Sequence, residues 1–481
     1  MKAEFEPFVR DFVNHLRDNN VAIFAGAGLS KAAGYVNWKE LLEEIAEDVG
    51  LKIELEEDLI SLAQYHVNQN NRHKINQKIL DEFVEGSNPT ENHVILSRLP
   101  IATYWTTNYD KLLEDSLAKN HKRYDVKIRE TDFHHSIHRR DAVIDKMHGD
   151  VSNPSEAVIT KEDYERYYLY HNSFLTALNG DLTTKTFLFL GFSFTDPNIT
   201  YIISRLNNVI DKKSSRQHYL FLKRPIIGDS NITNEAELDY AKTKQRLLID
   251  DLKIRYNIKA LLIDEFSEIT DVLKEIERRY KKQTIFISGS SCGEYGRFGE
   301  KRATDFIHNL TKQIIQKSYT IVNGFGVGVG SAVINGALDA IDSEPQKFSD
   351  SQLVMKPFPQ FVPEGKNIQE LWDAYRKRII PIAGIAIFVF GNKKDTTGNV
   401  VLADGVKKEF NIAIENGVIP IPIAATGYMS KEIFDIISED SSKYLAPYDW
   451  LWKELCQMNS DVISEDEIID KVINIILKLN K

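Results

Sequence analysis

The ten residues VAIFAGAGLS, at positions 21–30, form a continuous apolar run that ends in a glycine-rich turn. Similar apolar runs follow at residues 103–107, 186–190 and 218–222, and segments with helical spacing, such as 108–117, separate them. Continuous apolar strands that alternate with helices are typical of a parallel sheet covered by helices on both faces. The sequence therefore predicts a doubly wound α/β fold of the Rossmann type.

The same alternation restarts in the second half of the chain, at residues 284–289 (TIFISG), directly after a charged helical segment at 269–282. Further strand-like runs lie at 319–322, 385–390 and 418–423. We therefore predict two Rossmann-like doubly wound parallel-sheet domains, residues 1–282 and 283–481. The first domain carries a helical insertion at about 48–99.

Composition excludes several classes of protein. The 481 residues include 60 Lys and Arg against 70 Asp and Glu, which gives a net charge of −10 and argues against a protein that grips nucleic acid. Cys292 and Cys456 are the only cysteines, so a disulfide scaffold and a four-cysteine zinc site are excluded. With neither a signal-peptide pattern nor an apolar run long enough to span a bilayer, we expect a cytoplasmic protein that does not bind membranes.

Four short motifs each follow a predicted strand. They are GAGLS at 26–30, TTNYD at 106–110, KMHGD at 146–150 and GFSFTDP at 191–197. Open parallel sheets bind ligands at the carboxyl ends of their strands, and glycines there let a helix N-terminus approach a pyrophosphate. For the glycine loop alone, a tight strand-to-helix turn without a ligand stays open as the alternative.

Taken in this order, the four motifs resemble those of the sirtuin family over residues 10–280, and sirtuins cleave the nicotinamide–ribose bond of NAD. The resemblance implies that NAD is bound by Ala25, Gly26, Ala27, Gly28, Ser30, Asp110, Gly191 and Ser193. It also implies that Asn108 and His148 are catalytic, with His148 as the base at the nicotinamide-side ribose.

The chemistry agrees with these two roles. Cleavage of a glycosidic C–N bond passes through an oxocarbenium-like centre, so it needs an orienting polar group, a proton acceptor and control of water. His148 can accept a proton near neutral pH, and Asn108 can orient ribose or water with a neutral amide. The alternatives are a buried histidine that caps a loop and an asparagine that satisfies its own turn.

Two departures from deacylating sirtuins are informative. This half of the chain has no cysteines, whereas deacylating sirtuins have a four-cysteine zinc module. Their Pro-Asp-Phe-Arg segment is replaced by VNWK at residues 36–39. The hypothesis is therefore hydrolysis, with water as the acceptor and no metal. His134, His135 and His138 are interpreted as a solvated loop because basic residues follow them and no carboxylate pattern supports a metal site.

The second half resembles the SLOG superfamily of nucleotide hydrolases and sensors, on the strand order and the loops at 288–291 and 324–330 (GFGVGVG). The catalytic Pro-Gly-Gly-x-Gly-Thr-x-x-Glu segment of the hydrolases is absent, so we expect nucleotide binding without cleavage. The predicted signal-binding residues are Gly289, Ser290, Gly324, Gly326, Gly328, Arg376, Lys393 and Glu409. Arg378 is an alternative to Arg376, and solvated surface charges are the alternative for the charged members. For the glycine loop, flexible packing against a neighbouring strand is the alternative.

A sirtuin-like half joined to a SLOG half resembles the effectors of Thoeris anti-phage systems. This implies that a TIR-domain partner makes a cyclic ADP-ribose variant, which binds the second domain and activates NAD depletion by the first. It also implies a homotetramer that extends into filaments. Two rivals stay open: a non-catalytic NAD or ADP-ribose sensor that acts through assembly, and a DNA-processing protein, against which the acidic charge argues.

Overall fold

The structure is a computed structural model, and it describes residues 2–83, 86–192, 216–229, 232–362, 364–365, 367–460 and 462–480. The chain divides into two compact units, Met1–Glu277 and Arg278–Lys481. A division of the functional domains at residues 282 and 283 stays a prediction.

In the described part of unit 1, parallel strands form a seven-stranded sheet in the order β3-β4-β2-β1-β5-β6-β7. The strands are β1 (Val21–Ala25), β2 (Thr103–Thr106), β3 (Tyr124–Lys127), β4 (Ala142–Lys146), β5 (Thr186–Leu190), β6 (His218–Lys223) and β7 (Ile258–Ile263). Every residue of β1 and β5 is buried, as expected for central strands covered on both faces. The predicted doubly wound α/β class is confirmed.

Helices alternate with these strands in the described part of unit 1, and the last of them continues past Glu277, where unit 1 ends. They are α1 (Glu6–Arg17), α2 (Ala27–Lys31), α3 (Trp38–Leu41), α4 (Glu43–Asp48), α5 (Leu59–Asn70), α6 (His73–Phe83), α7 (Glu91–Arg98), α8 (Leu112–Lys119), α9 (Lys161–Glu165), α10 (Tyr167–Tyr170), α11 (Asn172–Thr184), α12 (Glu235–Tyr256) and α13 (Ser267–Lys281). Helices α3 to α7 all lie between β1 and β2 and include the predicted insertion.

The insertion packs on the turns that follow the central strands. Its apolar side chains share a cluster with Tyr109 and Leu112 after β2, and with Val151 and Ile159 after β4. Because β1, β2, β4 and β5 are parallel neighbours, their carboxyl ends meet at one edge of the sheet. This edge carries the first glycine loop (residues 26–30), the NYD turn (108–110) and the HGD turn (148–150).

In the described part of unit 2, parallel strands form a five-stranded sheet in the order β10-β9-β8-β11-β14, and β12 and β13 form a separate antiparallel pair. The strands are β8 (Thr284–Ser290), β9 (Thr320–Asn323), β10 (Leu353–Met355), β11 (Ile385–Phe390), β12 (Asn392–Lys394), β13 (Val400–Leu402) and β14 (Ile419–Pro422). The inner strand β11 is completely buried. The second predicted Rossmann-like sheet is thereby confirmed.

Helices alternate with these strands in the described part of unit 2. They are α14 (Gly299–Gln316), α15 (Gly330–Ser343), α16 (Ile368–Ile379), α17 (Asp404–Glu415), α18 (Tyr428–Glu439), α19 (Ser441–Leu445), α20 (Asp449–Gln457) and α21 (Glu465–Leu479). One continuous apolar core unites the sheet with these helices. Among the described residues, no helix of either unit has the length and apolarity needed to cross a bilayer.

Candidate functional site

The first glycine loop packs backbone to backbone against the end of β5. The Gly28 amide donates to the Gly191 carbonyl at 2.8 Å, and a Cβ on Gly28 would lie 2.9 Å from the Cα of Gly191. Gly191 has a φ of +73°, and a Cβ there would lie 2.1 Å from the Leu29 nitrogen. These two glycines are therefore required by the contact between two strand ends, in addition to any approach of a ligand.

Asn108 lies at the centre of a hydrogen-bond network that joins three segments of the chain. Its Nδ2 donates to the Gly26 carbonyl at 3.0 Å and to Ser30 Oγ at 2.9 Å. The Ser30 hydroxyl donates in turn to Asp110 Oδ2 at 2.7 Å. Ser30 and Asp110 are buried, with 3% and 5% of their surfaces exposed. The NYD turn and the first glycine loop are thus locked together.

This network fixes the orientation of the Asn108 amide. The Gly26 carbonyl can only accept, so the amide atom that faces it must be the nitrogen. Both amide hydrogens are then used, and the acceptor left for a ligand is Oδ1. Ser30 therefore positions Asn108, whereas contact of its hydroxyl with an NAD phosphate stays a prediction.

Asn108 lines a small cleft that opens to solvent at this edge of the sheet. The lining residues are Ala27, Ser30, Val36, Asn37, Trp38, Leu41, Phe83, Thr107, Asn108, Tyr109 and Asp110. Val36, Asn37 and Trp38 belong to the segment that departs from the deacylating sirtuins. The segment in which this chain differs from deacylating sirtuins therefore lines the cleft.

His148 is buried, with 2% of its surface exposed, and it is not among the described residues that line this cleft. Its Nδ1 lies 3.5 Å from the Tyr164 hydroxyl, and its ring meets the Tyr164 ring edge to face at 5.5 Å. Burial, assisted by the nearby His171, lowers the pKa of His148 to about 3. The imidazole is therefore neutral at physiological pH, and the expectation that this ring gains a proton near neutral pH is wrong because burial disfavours its charged form.

The structure brings together most of the residues predicted to bind NAD in unit 1. Ala25 ends β1, and Ala27 and Gly28 begin α2 beside Gly191. Ser193, which was also predicted to bind NAD, lies outside the described residues.

Sequence reasoning missed Lys146, a completely buried lysine at the end of β4. Its Nζ donates to the Asp110 carbonyl at 2.5 Å and to Glu114 Oε1 at 3.2 Å, and it also pairs with Asp150. Burial disfavours the ammonium, but the two carboxylates outweigh it and raise the pKa of Lys146. A lysine at the end of a buried strand is the sequence feature that could have identified it. In the structure, Lys146 links the NYD turn to the HGD turn.

We expect the Lys146→Met variant to lose about 3–5 kcal/mol of the free energy of unfolding, because two buried carboxylates lose their cation. Chemical denaturation of the full chain measures this loss. Lys111→Met is the matched control, because Lys111 is half exposed and forms a longer ion pair with the same Asp150, with 3.9 Å between Nζ and Oδ1. We expect a change within about 0.5 kcal/mol for the control, and equal losses would contradict the assignment.

In unit 2, the second glycine loop (residues 324–330) packs against the loop after β8. A Cβ on Gly326 would lie 2.1 Å from the Gly289 carbonyl oxygen, and the Ser291 amide donates to the Val327 carbonyl at 2.8 Å. Gly328 has a φ of +71°, which favours glycine. The two loops that were predicted to bind a signal therefore lie in direct contact.

Arg376 and Glu409, predicted as separate contacts to a ligand, pair with each other in the structure. Arg376 Nε donates to Glu409 Oε1 at 3.3 Å, and Arg376 Nη1 donates to Asp373 Oδ1 at 3.0 Å. Glu409 Oε2 accepts from Ser288 Oγ at 2.6 Å, and burial raises the pKa of Glu409. Arg376 is 6% exposed whereas Arg378 is exposed, and the choice of Arg376 over Arg378 as the signal contact stays a prediction.

Two cations meet at the N-terminus of α17. Lys393 pairs with Asp404, the first residue of the helix. A Cβ on Gly405 would lie 2.8 Å from Arg376 Nη2, so the guanidinium occupies the space beside the first helical turn. A helix N-terminus and two cations can bind an anion, but here Asp373, Glu409 and Asp404 already pair with the two cations. Ser290, Gly324 and the remaining predicted signal residues lie on the adjoining strand ends and loops.

Among the described residues, no three His, Cys, Asp or Glu side chains are grouped as a metal site. His134, His135 and His138 are exposed.

Family comparisons agree with both sheets. A SIR2-like domain family matches residues 102–249, and the Sir2- and TIR-associating SLOG family matches residues 268–479. A defence-associated sirtuin 2 from Bacillus subtilis is 24% identical over 56% of this chain and 26% of its own length.

Relatives of full length are more similar. The NAD(+) hydrolase ThsA of Bacillus cereus (strain MSX-D12) is 45% identical over 99% of this chain and 98% of its own length. Its namesake from Cytobacillus dafuensis is 43% identical over 100% of this chain and 97% of its own length. The chain therefore belongs to the ThsA family of NAD+ hydrolases, the Thoeris effectors that its two domains resemble.

Proposed function

We propose that this chain, an NAD+ glycohydrolase by its family, is activated by a cyclic ADP-ribose-type signal bound in unit 2 and then depletes NAD+ during phage infection. The observation that carries the catalytic part is the fixed amide of Asn108 at an open cleft. The observation that supports the signal site is the pair of cations at the N-terminus of α17.

In the proposed reaction, nicotinamide departs with the electrons of the ribose C–N bond and a water molecule adds to the same carbon. Asn108 Oδ1 accepts a hydrogen bond from the attacking water or a ribose hydroxyl and so orients it. His148 is proposed as the base at the nicotinamide-side ribose. Because its neutral ring is buried and lies outside the described lining of the cleft, the proton that the water loses must reach it through a ribose hydroxyl or a bridging water, and it then passes to solvent. The products are ADP-ribose and nicotinamide, and atoms and charge balance.

The neutral state of His148 predicts a pH profile. A base works only while it is unprotonated, and the pKa of His148 is lowered to about 3 by burial. We therefore expect kcat/KM for NAD+ to stay flat between about pH 5 and 8 in the activated enzyme. Initial rates of nicotinamide release measure the profile. A fall with a midpoint near 6.5, the ordinary histidine pKa, would show that the imidazole is solvated in the working enzyme and would contradict this placement.

In the signal site, the proposed ligand is a nucleotide with a pyrophosphate. Arg376 is now neutralised by Glu409 and Asp373, and Lys393 by Asp404. To bind here, a phosphate group must therefore displace the carboxylates that now pair with Arg376 and Lys393. The raised pKa of Glu409 eases this exchange, because the displaced carboxyl can accept a proton or hydrogen-bond a ribose hydroxyl.

The remaining parts of the proposal rest on the family resemblance. A TIR-domain partner supplies the signal in the cytoplasm, and the chain works as a homotetramer that extends into filaments. The rival is a sensor that binds NAD or ADP-ribose and acts only through assembly. Nicotinamide release by the purified full chain, with and without cyclic ADP-ribose isomers, separates the two readings, because a pure sensor releases none.

A further inference from the structure

Phe358 connects the second glycine loop to Arg376. The Arg376 guanidinium carbon lies 4.9 Å from the centre of the Phe358 ring, within the range of a cation–π contact. A Cβ on Gly324 would lie 2.6 Å from a carbon of the same ring. The Phe358 amide donates to the Gly324 carbonyl at 3.3 Å. One side chain therefore touches both the loop and the cation.

Two aromatic rings of α16 contact the Phe358 ring. It meets the Tyr375 ring at 5.5 Å and the Trp372 ring at 6.3 Å, both edge to face. Trp372 Nε1 also donates to the carbonyl of Pro359, the residue after Phe358, at 2.6 Å. Phe358 is therefore held in a well-defined position.

We propose that Phe358 is a positioning residue of the signal site. Its ring holds the Arg376 guanidinium beside the second glycine loop, so that a phosphate bound by the loop meets an already oriented cation. The same contact gives Gly324 a packing reason to be glycine. The proposal rests on the proposed signal function, and its ligand class is a nucleotide pyrophosphate of the cyclic ADP-ribose type.

The first experiment measures binding of cyclic ADP-ribose isomers to the full chain by calorimetry, with linear ADP-ribose for comparison. We expect Phe358→Leu to raise Kd about tenfold, which corresponds to ~1.4 kcal/mol. Phe358→Tyr keeps the ring and should bind as the parent chain does. Phe361→Leu is the matched control, because Phe361 lies on the same segment and is 80% exposed.

A double-mutant cycle separates positioning from a merely structural role. In an Arg376→Lys background, the flat guanidinium is gone, so Phe358→Leu should cause little further loss of affinity. Phe358→Leu should also raise the signal concentration for half-maximal NAD+ hydrolysis by the same factor as Kd. Equal losses in both backgrounds, or a loss in Phe361→Leu as large as in Phe358→Leu, would overturn the proposal.

A second measurement needs no ligand. We expect Phe358→Leu, but not Phe361→Leu, to speed amide hydrogen exchange in residues 324–330 of the full chain. If the parent chain binds none of the probes, the proposed signal function fails, and faster exchange in this loop would still support the positioning contact. Unchanged exchange in the loop would overturn the contact as well.

Discussion

The Asn108→Ala variant is expected to hydrolyse NAD+ about a thousandfold more slowly than the parent chain in the presence of signal. The substitution removes the Oδ1 acceptor at the cleft, and it also frees Ser30 Oγ and the Gly26 carbonyl from their partner. Signal binding in unit 2 should be unaffected, because the second glycine loop and Arg376 belong to a separate compact unit. Nicotinamide release and calorimetry on the same preparation measure the two activities.

Two further variants sharpen this result. Asn108→Asp keeps the shape but loses both N–H donors, and it places a second carboxylate beside Asp110, so we expect a comparable loss of rate. Asn309→Ala replaces an exposed asparagine on α14 and should leave the rate unchanged. Retention of more than about a tenth of the activity by Asn108→Ala would contradict the catalytic assignment.

The Arg376→Ala variant is expected to show the reverse pattern, with signal affinity lowered about a hundredfold. Hydrogen bonds to charged groups contribute about 1.5–3 kcal/mol each, and the phosphate loses the guanidinium entirely. Glu409 then stays buried without its cation and takes up a proton, so the site becomes neutral where an anion must bind. The concentration of signal that activates NAD+ hydrolysis should rise by the same factor.

Arg378→Ala is the matched control, because Arg378 lies two residues away on α16 but is exposed and stacks on Tyr375 at 5.0 Å. Its affinity for the signal should stay within about twofold of the parent. Glu409→Gln removes the buried negative charge and tests whether the resting ion pair competes with the ligand, in which case affinity rises. Equal loss of affinity in the two arginine variants would contradict the choice of Arg376.

Much of the fold could be predicted because its central strands are buried on both faces. The runs 186–190 and 385–390 read as strands and coincide with β5 and β11 in the structure. By contrast, β3 and β10 are short edge strands. The side chains of β3 alternate between half-buried and buried, and those of β10 are all half-buried. Their apolar pattern is too weak to separate a strand from a loop, so they required the tertiary structure.

For the site, the sequence identified residue types but not their partners. Four motifs at strand ends indicated where Asn108 would lie, since parallel strands bring their carboxyl ends together. The burial of His148 beneath Tyr164 depends on α9, which no local pattern connects to the HGD turn. The pairing of Arg376 with Glu409 joins residues 33 positions apart in different elements. Such long-range pairings cannot be read from spacing along the chain.

For the glycines, too, the sequence indicated the residues but not their neighbours. Gly28 and Gly191 suggested close approach of a pyrophosphate, and the structure shows that each also makes room for the other. A glycine that follows a strand therefore indicates a close approach without saying whether backbone or ligand is the neighbour.

The central claim is that a signal bound in unit 2 switches on NAD+ hydrolysis. The most direct measurement is the rate of nicotinamide release from NAD+ by the purified full chain as cyclic ADP-ribose isomers are titrated in. The account predicts a low rate without signal and a saturable rise with at least one isomer, which Arg376→Ala shifts to higher concentration and Asn108→Ala abolishes. A rate that is equally high without any signal, or no release under any condition, would contradict it.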